Sequence, residues 1–160
     1  NLLLIPARFA IAMQERGWIL RNDVIWHKPN AVPRPEGDRL RSVHEHFFHF
    51  VRKPTSGRPA FYYNIDFAEP RAGDVVTVNV APGEAGHSAT FPHDLIEPRI
   101  LTSCPPGGVV LDPFSGTGRA LEVALEHGRN AIGFDAQRTF VQLQQDKLNA
   151  TKRVRRQLRQ

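Results

Sequence analysis

The chain has 160 residues, enough for one domain of ordinary size, and 41% hydrophobic with 23% charged residues is the composition of a folded protein, not a disordered tail. No apolar run approaches the ~20 residues of a membrane-spanning helix, which excludes an integral helical membrane protein and leaves no membrane among the expected partners. Lys plus Arg number 21 against 16 Asp plus Glu, a net charge of +5 that tolerates a polyanionic partner without demanding one, while the single cysteine, Cys104, excludes a disulfide scaffold and points to a reducing, cytoplasmic compartment.

The residues begin Asn1-Leu2-Leu3-Leu4-Ile5, with neither a start methionine nor a charged-then-apolar leader, so the sequence is expected to be cut from a longer chain. Residues 6–16 predict a helix. Phe9, Ala10 and Met13 recur at helical spacing, Pro6 suits the first turn, and Gly17 suits the stop. Residues 18–26 predict a strand around a polar break at Arg21-Asn22-Asp23. Between residues 28 and 42, Pro29, Pro33, Pro35 and Gly37 break regular structure, and Lys28, Arg34, Arg39 and Arg41 stud the loop. Residues 43–52 return to strand composition. Residues 53–92 are turn-rich, with one strand expected at 75–80. The aromatic run Phe61-Tyr62-Tyr63 suits either base stacking or packing, and burial is expected for at least two of the three.

The last third has a clearer rhythm. A helix over 94–103 carries Leu95, Ile96, Ile100 and Leu101 on one side, and a short buried strand follows at 108–112. A helix over 119–127 is stopped by Gly128, a second strand covers 130–135, and a third helix runs from 139 to about 150. Strand–helix–strand–helix at this spacing argues a parallel α/β unit. The basic run at 152–159 reads as a solvated, frayed tail, with DNA contact as the lesser reading.

The strongest chemical signal is Asp112-Pro113-Phe114-Ser115-Gly116-Thr117-Gly118, placed directly after a strand and before a helix. Glycines there let the backbone approach a ligand closely, and Asp135, at the end of the next strand, is suited to accept hydrogen bonds from ribose hydroxyls. A dinucleotide fingerprint has a third glycine where this chain has Leu121, and Asp112 places a carboxylate at the loop's mouth, where it would repel a diphosphate. S-adenosylmethionine has no phosphate, carries a sulfonium and an ammonium, and still presents a ribose, so it fits the loop better than a nicotinamide dinucleotide.

These residues resemble the site-specific DNA methyltransferases that act on exocyclic amines, making N4-methylcytosine or N6-methyladenine. The family's Asp-Pro-Phe-x-Gly-x-Gly motif matches residues 112–118. His87-Ser88-Ala89-Thr90-Phe91-Pro92, then a helix and Cys104-Pro105-Pro106-Gly107-Gly108, resembles the segment just upstream of it. Trp26-His27-Lys28-Pro29-Asn30, Asp38-Arg39, His44-Glu45, Tyr62-Tyr63-Asn64 and Gly73-Asp74-Val75 recur in the family in this order, so the resemblance spans residues 2–148. It implies a Rossmann-like α/β methyltransferase fold that is circularly permuted, with the catalytic half first and the sheet incomplete here. It also implies S-adenosylmethionine as cofactor, held by Asp112, Pro113, Phe114, Ser115, Gly116, Thr117, Gly118 and Asp135, with Phe91 and Pro92 against its methionine end.

The family's reacting tetrapeptide, Asp/Asn/Ser-Pro-Pro-aromatic, is absent; Cys104-Pro105-Pro106-Gly107 has only the prolines and lies on the cofactor side of the order. No residue of this chain is therefore expected to perform the transfer, and the chain is expected to be a C-terminal part. The implied partners are double-stranded DNA, a cognate restriction endonuclease and the missing N-terminal part. Lys28, Arg34, Arg39 and Arg41 suit phosphate contacts, although a solvated loop accounts for any one arginine equally well. The expected division is residues 1–53 in a catalytic subdomain, 54–86 as a short target-recognition or linker region, 87–150 as the cofactor subdomain and 151–160 as a basic tail.

His44 and His46 share a strand face that His49 opposes, which spoils a three-ligand metal site, so no metal is expected. Glu45 is expected to pair with a basic neighbour. Two other functions stay open at this level: a methyltransferase on RNA or another substrate, and a module that binds cofactor or DNA without catalysis.

Overall fold

The computed structural model describes residues 2–31, 37–68, 73–81 and 91–157, without side chains for 150–157. Arg34 and the stretch 87–90 of the upstream motif lie outside the described residues. The chain divides into two compact units, one of Asn1–Phe61 with Arg71–Asn79 and one of Tyr62–Pro70 with Val80–Gln160.

In the first unit, helix α1 (Ile5–Glu15) precedes strands β1 (Trp18–His27), β2 (His44–Arg52) and β3 (Val75–Thr77). The sheet order is β2-β1-β3, antiparallel between β1 and β2 and parallel between β1 and β3. The polar run at 21–23 does not interrupt β1: the register shifts between Leu20 and Asn22, so Arg21 is an extra residue in a β-bulge and pairing resumes at Asn22 opposite His49. β3 is shorter than the expected 75–80. Trp26 is buried and fixed by its indole N–H, which donates to the Val78 carbonyl at 2.8 Å, and Val51 is buried opposite Ile19. On α1 only Ala10 is buried, and Phe9 rests on β2 with its ring centroid 6.2 Å from both Phe48 and Phe50.

The aromatic run departs from expectation, because Phe61, Tyr62 and Tyr63 are 43%, 38% and 40% exposed. Phe61 lies on the sheet surface, its ring 6.1 Å from that of His49 and 5.9 Å from the Arg21 guanidinium, which leaves its outer face in water.

In the second unit a 3-10 turn (Ile65–Ala68) is followed by helix α2 (His93–Ser103), strand β4 (Val109–Asp112), helix α3 (Arg119–Glu126), strand β5 (Asn130–Gly133) and helix α4 (Arg138–Gln157). β4 and β5 pair in parallel, Val109 opposite Asn130 through to Asp112 opposite Gly133. The alternation of β4 and β5 turns Val110 and Ala131 toward a core of Ile100, Ala120, Val123 and Ala124, against which Phe91 and Ile96 also pack. Leu95 and Leu121 are buried as well. The opposite sheet face is bare: Val109 and Leu111 are 57% and 60% exposed, and Ile132 and Phe134 49% and 60%. Parallel strands ordinarily have both faces covered, so this two-stranded sheet is partial.

Two features here were not read from the sequence. α4 continues through the basic run to Gln157 instead of fraying near 150, because Lys, Arg and Gln are good helix formers and no Gly or Pro interrupts them. Arg129 is buried and satisfied by backbone alone: Nε and Nη2 donate to the Cys104 carbonyl at 3.1 and 3.0 Å, and Nη1 to the His127 carbonyl at 2.6 Å. It thereby joins the C-terminal end of α2 to that of α3. Cys104 itself is the buried C-cap of α2.

Candidate functional site

The site lies where β4 and β5 end side by side. Pairing continues past the strands, with the Phe134 N–H donating to the Asp112 carbonyl and the Ser115 N–H to the Phe134 carbonyl, both at 2.9 Å. Loop 113–118 is thereby folded back over the exit of β5. Asp112 Oδ1 accepts from the Phe114 N–H at 3.1 Å, which sets the first turn of the loop. Gly116 and Gly118 then take φ of 49° and 85°, left-handed values that favour glycine, and Gly118 is the N-cap of α3.

Asp135 closes the loop from the other side. Its Oδ2 accepts from the Gly116 N–H and its Oδ1 from the Gln137 N–H, each at 2.8 Å. Each carboxylate oxygen keeps a further lone pair, and the residue is only partly buried, so two acceptors remain for neighbouring hydroxyls.

Gly133 and Gln144 went unnoticed in the sequence. A Cβ on Gly133 would collide with the Leu121 side chain and come within 2.8 Å of Ser115 Oγ. Close helix–strand approach, which a dinucleotide fold obtains from a third loop glycine, is here obtained from a glycine on the strand. Gln144, buried in α4, donates from Nε2 to the Gly116 carbonyl and accepts at Oε1 from Ser115 Oγ, 3.2 Å away. The Ser115 hydroxyl is also placed to donate to the Phe134 carbonyl at 2.9 Å.

The donor set suits S-adenosylmethionine. The Asp135 carboxylate stands part-exposed beside the loop, and Phe114 is 87% exposed on the rim. Thr117 Oγ1 is buried without a hydrogen-bond partner among the described residues, an unused polar atom inside the same loop.

The structure thus brings together Asp112, Pro113, Phe114, Ser115, Gly116, Thr117, Gly118 and Asp135. Pro92 is buried as the N-cap of α2, and Phe91 packs against the core.

In the first unit, Lys28 Nζ pairs with Glu45 at 2.7 Å and lies 5.4 Å from the Trp26 ring centre, so Glu45 has the basic partner expected of it. Arg39 meets Asp38 at 2.9 Å, and Arg41 donates to the Ala31 carbonyl at 3.3 Å. The rings of His44, His46 and Phe48 follow one another at 5.6 Å spacings along one strand face. His46 Nδ1 is 2.9 Å from Asp23, and His49 lies on the opposite face beside Phe61. Burial and then the Arg21 guanidinium hold the His49 imidazole below the usual 6.5. Among the described residues no group of three or more His, Cys, Asp or Glu is placed to hold a metal, and no helix is long and apolar enough to cross a membrane.

Comparison with known proteins places the chain in a family. The chain is 37% identical to the type II methyltransferase M.XycI of Xanthomonas campestris pv. cyanopsidis, over 92% of this chain and 50% of that protein. It is 36% identical to M.Cfr9I of Citrobacter freundii, over the same shares of each. The chain therefore spans about half the length of these curated relatives. Among solved structures, the complex of M1.HpyAVI with SAM superposes with a TM-score of 0.75 at 22% identity, over 93% of this chain and 72% of that one. The PvuII cytosine-N4-specific DNA methyltransferase gives 0.74 at 20% identity, over 90% and 56%. The fold is accordingly the α/β, Rossmann-like fold of these methyltransferases, with a partial sheet. The family model described as DNA methylase, N6_N4_Mtase, matches residues 4–146, and the chain belongs to that family.

Proposed function

We propose that these residues are the cofactor-holding part of a site-specific DNA methyltransferase that moves a methyl group from S-adenosylmethionine to an exocyclic amine, N4 of cytosine or N6 of adenine. The observation that carries this reading is loop 112–118, held between the part-exposed Asp135 carboxylate and α4 with Gly116 and Gly118 in left-handed conformations.

Bound S-adenosylmethionine supplies an electrophilic methyl group on a sulfonium. Asp135 accepts from the ribose hydroxyls with its remaining lone pairs. Asp112 keeps the loop's mouth favourable to a cation and unfavourable to a diphosphate. Phe114 offers an apolar ring to the purine face, and Phe91 and Pro92 stand toward the methionine end. The target amine is out of reach inside the duplex, so the base would leave the stack at a cost of about a few kcal/mol, and because the amine's lone pair is delocalised into the base it would need to be held in orientation toward the donor's methyl group. The Asp/Asn/Ser-Pro-Pro-aromatic tetrapeptide that accepts hydrogen bonds from that amine belongs to the N-terminal half of a permuted, full-length enzyme.

Lys28, Arg34, Arg39 and Arg41 position double-stranded DNA by its phosphates. Residues 1–53 belong to the catalytic subdomain, 54–86 link it through a short target-recognition region to the cofactor subdomain at 87–150, and 151–160 form a basic terminus. The enzyme acts in the cytoplasm beside a cognate restriction endonuclease.

Transfer of tritiated methyl from S-adenosylmethionine to mixed-sequence DNA tests the reading. The full-length protein is expected to label DNA at N4 or N6, while the 160-residue chain alone stays at background. No labelling by the full-length protein, or labelling by the chain alone, would contradict it.

A further inference from the structure

Gln144 lies 26 residues beyond the last residue of the cofactor loop, in a helix that the loop motif does not include. It is 5% exposed, and a glutamine is buried only where both ends of its amide find partners. Here both partners belong to the loop: Nε2 donates to the Gly116 carbonyl, and Oε1 faces Ser115 Oγ at 3.2 Å. The same Gly116 peptide unit is gripped at its N–H by Asp135, 2.8 Å away. The stem of Gln144 also lies so close to Gly118 that a Cβ there would come within 2.9 Å of its Cγ.

From this geometry we infer that Gln144 is a positioning residue for the cofactor, acting through the loop and not by contact with the ligand. This rests on the methyl-donor reading given above. Gly116 has a left-handed φ, and a glycine loop without a second anchor samples many conformations. Gln144 fixes the Gly116 carbonyl from α4 while Asp135 fixes its N–H from β5, so the loop is already shaped when the ligand arrives and little ordering remains for binding to drive. Asp135 faces both the loop and the ribose, whereas Gln144 faces the loop alone. Its removal should weaken binding without removing any group from the ligand's surroundings.

The test uses Gln144→Met in the full-length protein, a change that keeps length and helix propensity and deletes both hydrogen bonds. Three quantities are read: S-adenosylmethionine affinity by calorimetry, KM for the cofactor against kcat, and amide exchange in the ligand-free protein. Affinity is expected to fall roughly tenfold, the size of one to two net hydrogen bonds, with KM rising and kcat little changed. Exchange should accelerate at Gly116 and Gly118 and stay unchanged at Val123 and Ala124. A merely structural role would instead raise exchange throughout α3. Binding by the unsubstituted protein that Gln144→Met matches, with unchanged loop exchange, overturns the inference alone. Absence of binding by the unsubstituted protein overturns the site reading, and this role with it.

Discussion

The two units solve the problem of burial differently. In the second, apolar side chains from α2 and α3 converge on one small core, with Leu95, Ile100, Leu121, Val123 and Ala124 all 5% exposed or less. In the first, the buried apolar residues among those described are only Ala10, Trp26, Ala31 and Val51, while Leu2, Leu3, Leu4 and Ile5 are 61–80% exposed. Buried polar side chains follow the same division among the described residues. Ser115, Arg129 and Gln144 are buried in the second unit and bonded to backbone, which specifies shape, whereas the Lys28–Glu45 and His46–Asp23 pairs of the first sit at the surface, where such pairs contribute little. The candidate cofactor loop lies in the unit that buries these backbone-bonded polar side chains. A ligand site that must hold its shape unoccupied is built on such a scaffold.

Substitutions sharpen this contrast. The largest effect is expected from Gly133→Val, because the new side chain meets Leu121 and Ser115 at once. A loss of about 3 kcal/mol should appear in hydrogen exchange of the second unit and leave β1–β2 amides protected. Next comes Arg129→Met, which leaves the Cys104 and His127 carbonyls without their donor. About 2 kcal/mol should be lost, again in the second unit, by the same measurement. Equal losses in the two units for either variant would contradict the division.

The smallest effect belongs to the first unit and to pH. His49 has its folded pKa lowered by burial and by Arg21, so below the unfolded value of 6.5 the unfolded chain binds more protons than the folded one. The stability contributed by neutral His49 is therefore full above 6.5 and is lost as pH falls from there toward the lowered folded value. Denaturation followed through Trp26 should show this slope in the unsubstituted chain and a flatter one in His49→Gln. A slope of opposite sign would overturn the assignment.

Much of the second unit was legible because its signals are local. The strand, loop and helix around Asp112–Pro113–Phe114 lie in consecutive residues, and Gly128 marks the stop of α3 directly. Gly133, Arg129 and Gln144 were not legible, since each acts on a loop or helix end from a distance in sequence: Gln144 bonds across 28 and 29 residues, and Arg129 reaches Cys104 across 25. Isolated polar residues in a helix or at a strand's start carry no mark of such partners. In the first unit a polar triplet hid a bulge, because pairing with β2 overrides local composition. The aromatic run at 61–63 suggested burial, yet ring hydrophobicity does not reveal how much neighbouring surface exists to cover it.

The central claim is that the loop gripped by Asp135 holds S-adenosylmethionine. Calorimetric titration of the full-length protein and its Asp135→Ala and Asp135→Glu variants tests it most directly, with NAD titrated in parallel. The account expects S-adenosylmethionine to bind, the Ala variant to lose binding, the Glu variant to retain some, and NAD to give no heat. Unchanged affinity in the Ala variant, or NAD bound in place of S-adenosylmethionine, would contradict it.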